Sequence, residues 1–318
     1  MATFRLGTRG SQLALFQANT VAALLRERCG AECEVIVIKT SGDRLAEARL
    51  ADIGGKGLFV KEIEDALLEH RIDLAVHSSK DMPATLPGGL TIGAVLPRED
   101  ARDALVLPAG LQGPPRTLLG ETPHIGTSSV RRTAQLTSLF PRARFEPIRG
   151  NLDTRLRKLD AGEYDALVLA SAGLKRLGHG ARISETLSPQ ECVPAPGQGI
   201  IAVEIRSDDA AAREVVRPVN DVASAAALIA ERAVVSELGG GCQMPLGAYA
   251  EVVNGRLALT AIVISLDGER SARATTEGRL NDAYQIGEQA AAQLRVGGAG
   301  DILAEVELAR ASVEGLQP

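Results

Sequence analysis

Short apolar or β-branched runs alternate with helical patterns through the first two thirds of the chain, and this alternation limits the fold more than any other feature. Val35 to Ile38, Ile72 to Val76 and Ala166 to Ala170 have the length and composition of buried strands. Among them, Gln12 to Arg28, Leu58 to Glu69 and Leu152 to Leu159 space apolar residues at helical intervals. Strand and helix in turn build a parallel sheet with helices on both faces. The Pro- and Gly-rich stretch Pro108 to Pro115 breaks the pattern and is expected to be a surface loop close to a domain boundary. No internal repeat is visible, yet two successive α/β units suit a pair of similar domains facing a cleft.

After about residue 218 the pattern changes. An Ala-rich helix, Val222 to Leu238, leads into the turn Gly239-Gly240-Gly241-Cys242-Gln243-Met244-Pro245. Strand-like segments follow near Leu246 to Val253, Arg256 to Ile264 and Ala272 to Gly278, then helices, which together describe a small α+β domain. Three glycines open backbone conformations closed to other residues, so the thiol of Cys242 can be presented outward as a reactive group. The competing reading is an inert thiol in a flexible turn.

Composition removes several classes. With 318 residues, 45% of them hydrophobic and no low-complexity tract, the chain can bury substantial cores and should form two or three domains. The first ten residues carry charges where a signal peptide needs an apolar core, and no later run is long enough to span a bilayer. These features predict a soluble, cytosolic protein that does not act at a membrane. Cys29, Cys33, Cys192 and Cys242 form no CxxC pair and have no histidine cluster nearby, which argues against a structural metal and against a disulfide scaffold.

The net charge of −5 hides an asymmetry. Between Arg131 and Arg182 stand nine Arg and two Lys against five Asp or Glu. Such an excess attracts anions, and because it is mostly arginine it suits carboxylates or phosphates, which the planar guanidinium can grip in bidentate fashion. A solvated charged face is the bland alternative. Nucleic acid is disfavoured, since 3% aromatic content offers few stacking platforms and the total charge is acidic.

Polar motifs gather at the ends of the expected strands, where open α/β sheets place ligands. Gly7-Thr8-Arg9-Gly10-Ser11 turns from strand to helix, with Ser11 suited to cap that helix or to help its first amides hold an oxyanion. Gly54-Gly55-Lys56-Gly57-Leu58-Phe59 is glycine-rich but lacks the GxxxxGK[ST] spacing of a nucleotide loop. His77-Ser78-Ser79-Lys80-Asp81-Met82-Pro83 follows an apolar strand and concentrates polar groups beyond what a turn needs. Asp81 beside Lys80 can stay ionised, which suits a group that stabilises a cation and passes protons. Gly126-Thr127-Ser128-Ser129-Val130-Arg131-Arg132, Arg149-Gly150-Asn151-Leu152-Asp153-Thr154-Arg155 and Ala172-Gly173-Leu174-Lys175-Arg176-Leu177-Gly178 add hydroxyls, amides and arginines in like positions.

Taken in order, these motifs, with Pro196-Gly197-Gln198-Gly199 and Gly240-Gly241-Cys242-Gln243, resemble the porphobilinogen deaminase (hydroxymethylbilane synthase) family from about Phe4 to about Val306. The resemblance implies a transferase of tetrapyrrole (haem and porphyrin) biosynthesis that joins four porphobilinogen molecules head to tail and releases ammonia. It implies a dipyrromethane cofactor on a thioether to Cys242, and no metal. By the same resemblance Asp81 is the catalytic carboxylate. Ser11, Lys80, Thr127, Ser129, Arg131, Arg132, Arg149 and Arg155 hold the cofactor. Arg9, Ser11, Arg149, Arg155 and Arg176 hold substrate, and Lys56 and Lys61 belong to a mobile loop over the cleft.

The implied architecture is α/β: two type II periplasmic-binding-protein-like domains around a cleft plus a C-terminal α+β domain, as a monomer. Domain 1 would comprise 1–99 and 200–217, domain 2 100–199 and domain 3 218–318, the return to domain 1 being made by the strand-like Ile200 to Ile205. Two positions depart from the family pattern, Ser79 and Ser171, each standing where a larger or apolar residue is usual. Two other classes compete. A non-catalytic anion-binding protein of the same build would have no use for the Gly-Gly-Cys turn, and a nucleotide-dependent enzyme rests on Gly54 to Gly57 alone.

Overall fold

The computed structural model describes residues 3–41, 60–111, 113–239 and 244–314. The elements are β1 (Thr3–Thr8), α1 (Gln12–Cys29), β2 (Glu32–Val37), α2 (Lys61–Leu68), β3 (Leu74–Ser78), β4 (Leu90–Val95), β5 (Asp103–Val106), α3 (Pro115–Leu118), β6 (His124–Gly126), α4 (Val130–Leu139) and β7 (Arg144–Glu146). There follow α5 (Leu152–Asp160), β8 (Ala166–Ala170), α6 (Ser171–Arg176), β9 (Glu185–Thr186), β10 (Ile201–Arg206), α7 (Ala210–Val216) and α8 (Val222–Glu237). The chain closes with β11 (Leu246–Val253), β12 (Arg256–Ile264), β13 (Ser271–Gly278), α9 (Ala283–Val296) and α10 (Ala299–Glu314).

Among the described residues three sheets form. The first has the order β2-β1-β3-β10-β4, the second β7-β6-β8-β5-β9 and the third β11-β12-β13. Neither α/β sheet is purely parallel, contrary to the reading from alternation alone. β10 runs antiparallel to β3 and β4, and β5 runs antiparallel to β8 and β9. The reversed strands are those next to the crossovers: β5 opens the second sheet as the chain leaves the first, and β10 re-enters the first sheet as it returns. The strand expected at Ile72 to Val76 lies instead at Leu74–Ser78, because β10 pairs Ile201 with Ser78 and Ala202 with His77. His77 and Ser78 are therefore strand residues rather than turn residues.

Apolar faces assemble as the sequence pattern requires. Ala18, Val21 and Leu25 of α1 bury against Leu6, Leu74, Val76 and Val203, while Ile63, Ala66 and Leu67 of α2 cover Ile72, Ala75 and Leu90 on the opposite face. Fully buried leucines such as Leu6 and Leu74 each contribute about 1.5–3 kcal/mol relative to exposure. The third sheet packs one face on α8, α9 and α10.

Two crossovers, 96–102 and 187–200, join the α/β sheets and are laced together. Leu96 N donates to Ile201 O at 3.0 Å and Glu99 N to Gly199 O at 3.0 Å. Arg98 Nε donates to Gln198 O at 2.8 Å, and Gln198 Nε2 to Ala101 O at 2.6 Å. Glu231 of α8, wholly buried, grips both: it accepts from Arg98 at 2.5 Å and from Gly197 N at 2.6 Å, and also from Ala250 N of β11 at 2.7 Å.

Candidate active site

The end of β3 runs into a tight turn over Ser79–Asp81. Ser79 N donates to Ile200 O at 3.0 Å, and Met82, 3% exposed, anchors the far side. The turn leaves Asp81 exposed on a small cavity that Arg9, Ser11, Gln17, His77 and Ser78 also line. Ser11 caps α1 as expected, accepting from Ala14 N at 3.3 Å. Gln17 escaped the sequence reading. It is 2% exposed and donates to Ser78 Oγ at 2.8 Å, fixing the strand end beside Asp81. The signal was available, because Gln17 stands four residues from both Leu13 and Val21 in a helix whose stripe there is otherwise apolar.

Behind Lys80 lies a buried network centred on Asp103. Its carboxylate accepts from Arg131 at 2.7 Å, Arg132 at 2.7 Å, Gln198 Nε2 at 2.9 Å and Cys192 Sγ at 3.3 Å. Burial works against the anion, but the two guanidiniums outweigh it and hold the Asp103 carboxyl well below the usual range. Arg131 also donates to Val193 O at 2.6 Å, and Arg132 to Val168 O at 3.1 Å. Both arginines, buried at 4% and 7% exposure, thus direct donors inward to Asp103 and the main chain.

Cations predominate at the surface of this network. Burial, with Arg132 and Arg131 adding repulsion, pushes the Lys80 ammonium down to about 8, against the pull of Asp81. Burial and then Arg132 likewise lower Arg155, whose Nε donates to Gly150 O at 2.9 Å. Lys80, Arg132 and Arg155 therefore share one electrostatic environment, and an incoming carboxylate would relieve it.

The other expected residues flank this centre. Ser129 caps α4 through Arg132 N, and buried Thr127 accepts from Ser129 N at 3.3 Å. Arg149 is half-buried in the loop after β7, and Lys61 opens α2 on the surface. Arg176 of α6 donates to Gly199 O at 2.6 Å, in the returning crossover. Lys56, the Gly54 to Phe59 motif and Cys242 lie outside the described residues. Ser79 and Ser171 are buried with hydroxyl oxygens that meet no hydrogen-bond partner.

A larger cavity of about 500 Å³ lies against the crossovers, lined by Arg98, Asp100, Arg102, Ser224 and Tyr249 among others, and it contains none of the motif residues named above. The smaller cavity holds Asp81, Arg9 and Ser11, three of the residues that the sequence motifs single out. No helix among the described residues is long and apolar enough to cross a membrane.

The chain is similar to known proteins over most of its length. Residues 4–214 match the family model "Porphobilinogen deaminase, dipyromethane cofactor binding domain", and residues 225–295 match "Porphobilinogen deaminase, C-terminal domain". Porphobilinogen deaminase of Syntrophobacter fumaroxidans is 46% identical, over 95% of this chain and 97% of that protein. Its counterpart in Moorella thermoacetica is 45% identical, over 99% of this chain and 100% of that one. Among solved structures, the periplasmic VFT2 domain of BvgS from Bordetella pertussis is similar at 17% identity and a TM-score of 0.39, over 68% of this chain and 84% of that one. Matches of this extent show that the chain belongs to the porphobilinogen deaminase family.

Proposed function

We propose that this chain joins four porphobilinogen molecules head to tail into hydroxymethylbilane, releasing ammonia, as a cytosolic monomer that acts on neither nucleic acid nor membranes. We further propose the division into 1–99 with 200–217, 100–199 and 218–318, which the three sheets and two crossovers support. One observation carries the functional reading: Asp81 stands exposed on a cavity with Arg9 and Ser11, beside a cationic group of Lys80, Arg132 and Arg155.

Those residues fit a dipyrromethane, because Lys80 and Arg155 are both destabilised as cations by burial and by Arg132, and pyrrole acetates and propionates would offset that cost. When bound on a thioether to Cys242, the cofactor supplies the nucleophilic pyrrole carbon. Lys80, Arg132, Arg149 and Arg155, with Thr127 and Ser129, hold its carboxylates. Arg131 supports them from behind through Asp103. Arg9, Ser11 and Arg176 orient the incoming substrate. As the substrate's amino group departs as ammonia and leaves its methylene carbon on the ring, positive charge develops there, and Asp81 stabilises it and accepts the proton released as aromaticity is restored after the carbon–carbon bond forms.

Intact mass and peptide mapping of protein from cells that make porphobilinogen provide the test. Two linked pyrrole units on the peptide containing Cys242 are expected, and a Cys242→Ser protein should fold yet lack them. An unmodified Cys242 that gains no mass on incubation with porphobilinogen refutes the assignment.

A further inference from the structure

His77, Glu204 and Glu64 meet beneath the cavity that holds Asp81. With Ala202 opposite His77 and Glu204 opposite Ala75, His77 and Glu204 project from one face of the first sheet. His77 Nε2 lies 3.1 Å from Glu204 Oε2, and these side chains are 4% and 0% exposed. α2 covers the same face and brings in Glu64, 6% exposed. One carboxylate oxygen of Glu64 and one of Glu204 are buried without a hydrogen-bond partner. Among the described residues no group of His, Cys, Asp and Glu could hold a metal ion, so ligation does not explain the cluster.

The charged neighbours are committed elsewhere. Arg206, next on this face of β10, donates to Leu67 O, Ile72 O and Asp209, and Arg5 of β1 is paired with Asp73. β4 carries no charged residue, while α2 itself adds Asp65, an exposed Lys61 and Glu62, which accepts from Ser41 N at 2.7 Å. A dry pocket with one imidazole can accommodate one carboxylate readily and a second only as the acid.

We propose that Glu64, Glu204 and His77 act as one buried positioning unit, in which a proton retained on Glu64 seats α2 on the first sheet and holds the Ser78–Asp81 turn in place for turnover. Burial, with Glu204 adding repulsion, pushes the Glu64 carboxyl up to about 7, so the proton is lost within the neutral range. His77 lines the same cavity as Asp81, and the next residue, Ser78, takes the Gln17 hydrogen bond. Loss of the proton puts a buried anion against Glu204 and His77 at the base of that strand end. The turnover part of the inference rests on the function proposed above, whereas the proton itself does not.

Two measurements on the full chain need no substrate. Because the folded-state value is raised, the stabilisation is complete below the ordinary value of 4.5 and is lost as pH rises through about 7. Relative to Glu64→Gln, the wild-type melting temperature should fall from pH 5 to 8 on this account, and parallel curves overturn the proposal. Should that variant not fold, the pH-difference infrared spectrum of the wild type decides: a protonated-carboxyl band disappearing with a midpoint near 7 is expected, and its absence overturns the proposal. In turnover of porphobilinogen, His77→Gln and Glu204→Gln should lower kcat about tenfold with KM within about twofold, and Glu64→Gln should flatten the pH profile of kcat near 7. Wild-type kcat in both of the first two variants overturns the positioning role. If the wild type does not turn porphobilinogen over, the functional reading fails while melting and infrared still judge the cluster.

Discussion

Asp103 and Gln198, 95 positions apart in the chain, are joined by a 2.9 Å hydrogen bond that ties the start of the second sheet to the crossover leading back to the first. The same carboxylate is ion-paired with both Arg131 and Arg132, so one buried anion holds together the arginine pair and both connecting segments.

Removing that anion leaves two guanidiniums buried without a counter-charge. Asp103→Ala should lose about 3–5 kcal/mol in urea unfolding at neutral pH. A loss below about 1 kcal/mol would show that the arginines find other partners.

Asp81 is exposed on the cavity and its change to an amide should perturb little else. We expect Asp81→Asn to retain substrate affinity while single-turnover rates drop about 10²–10⁴-fold, the range typical of a lost proton-transfer group. Near-normal rates would remove Asp81 from the chemistry.

Lys80 has a folded-state value lowered to about 8, so its charge fades as pH rises through that value. For the apoprotein the sign runs in two directions. Stability is gained between about 8 and the ordinary 10.5, where only the unfolded chain binds the proton. Pyrrole uptake by apoprotein, followed by intact mass, is lost over the lower part of that interval. Lys80→Arg keeps its charge and should remove the alkaline decline; an unchanged decline would place the titration on another group.

Gly199 has φ +87°, and a Cβ there would sit 2.3 Å from Glu99 O. Gly199→Ala therefore meets both a strained backbone and a clash between the crossovers, and should destabilise the protein by at least about 2 kcal/mol. A melting temperature equal to wild type would mean that the crossovers separate at little cost.

What the sequence disclosed was whatever depends on local pattern. Ser11 reads as a cap because hydroxyl before an apolar stripe is a local signal, and the strands Leu246–Val253 and Arg256–Ile264 fall where alternation put them. The direction of β10 was hidden, because it depends on the end from which the chain re-enters a sheet after building a second one. Asp103 and Glu231 were hidden for a related reason: each looks like an ordinary polar residue until distant segments bury it and supply its partners. Arg131 and Arg132 stood out as cations, but only packing shows that their donors point inward.

The two crossovers run side by side, bonded at Leu96 to Ile201 and at Glu99 to Gly199 and clasped together by Glu231. Two independent tethers would act as a ball joint, whereas a stitched pair behaves as a flat strap that flexes across its width and resists torsion. Any opening of the cleft is thereby confined to a single swing axis. A hinge of that kind lets the faces bearing Asp81 and Arg155 part and meet again without sliding past each other.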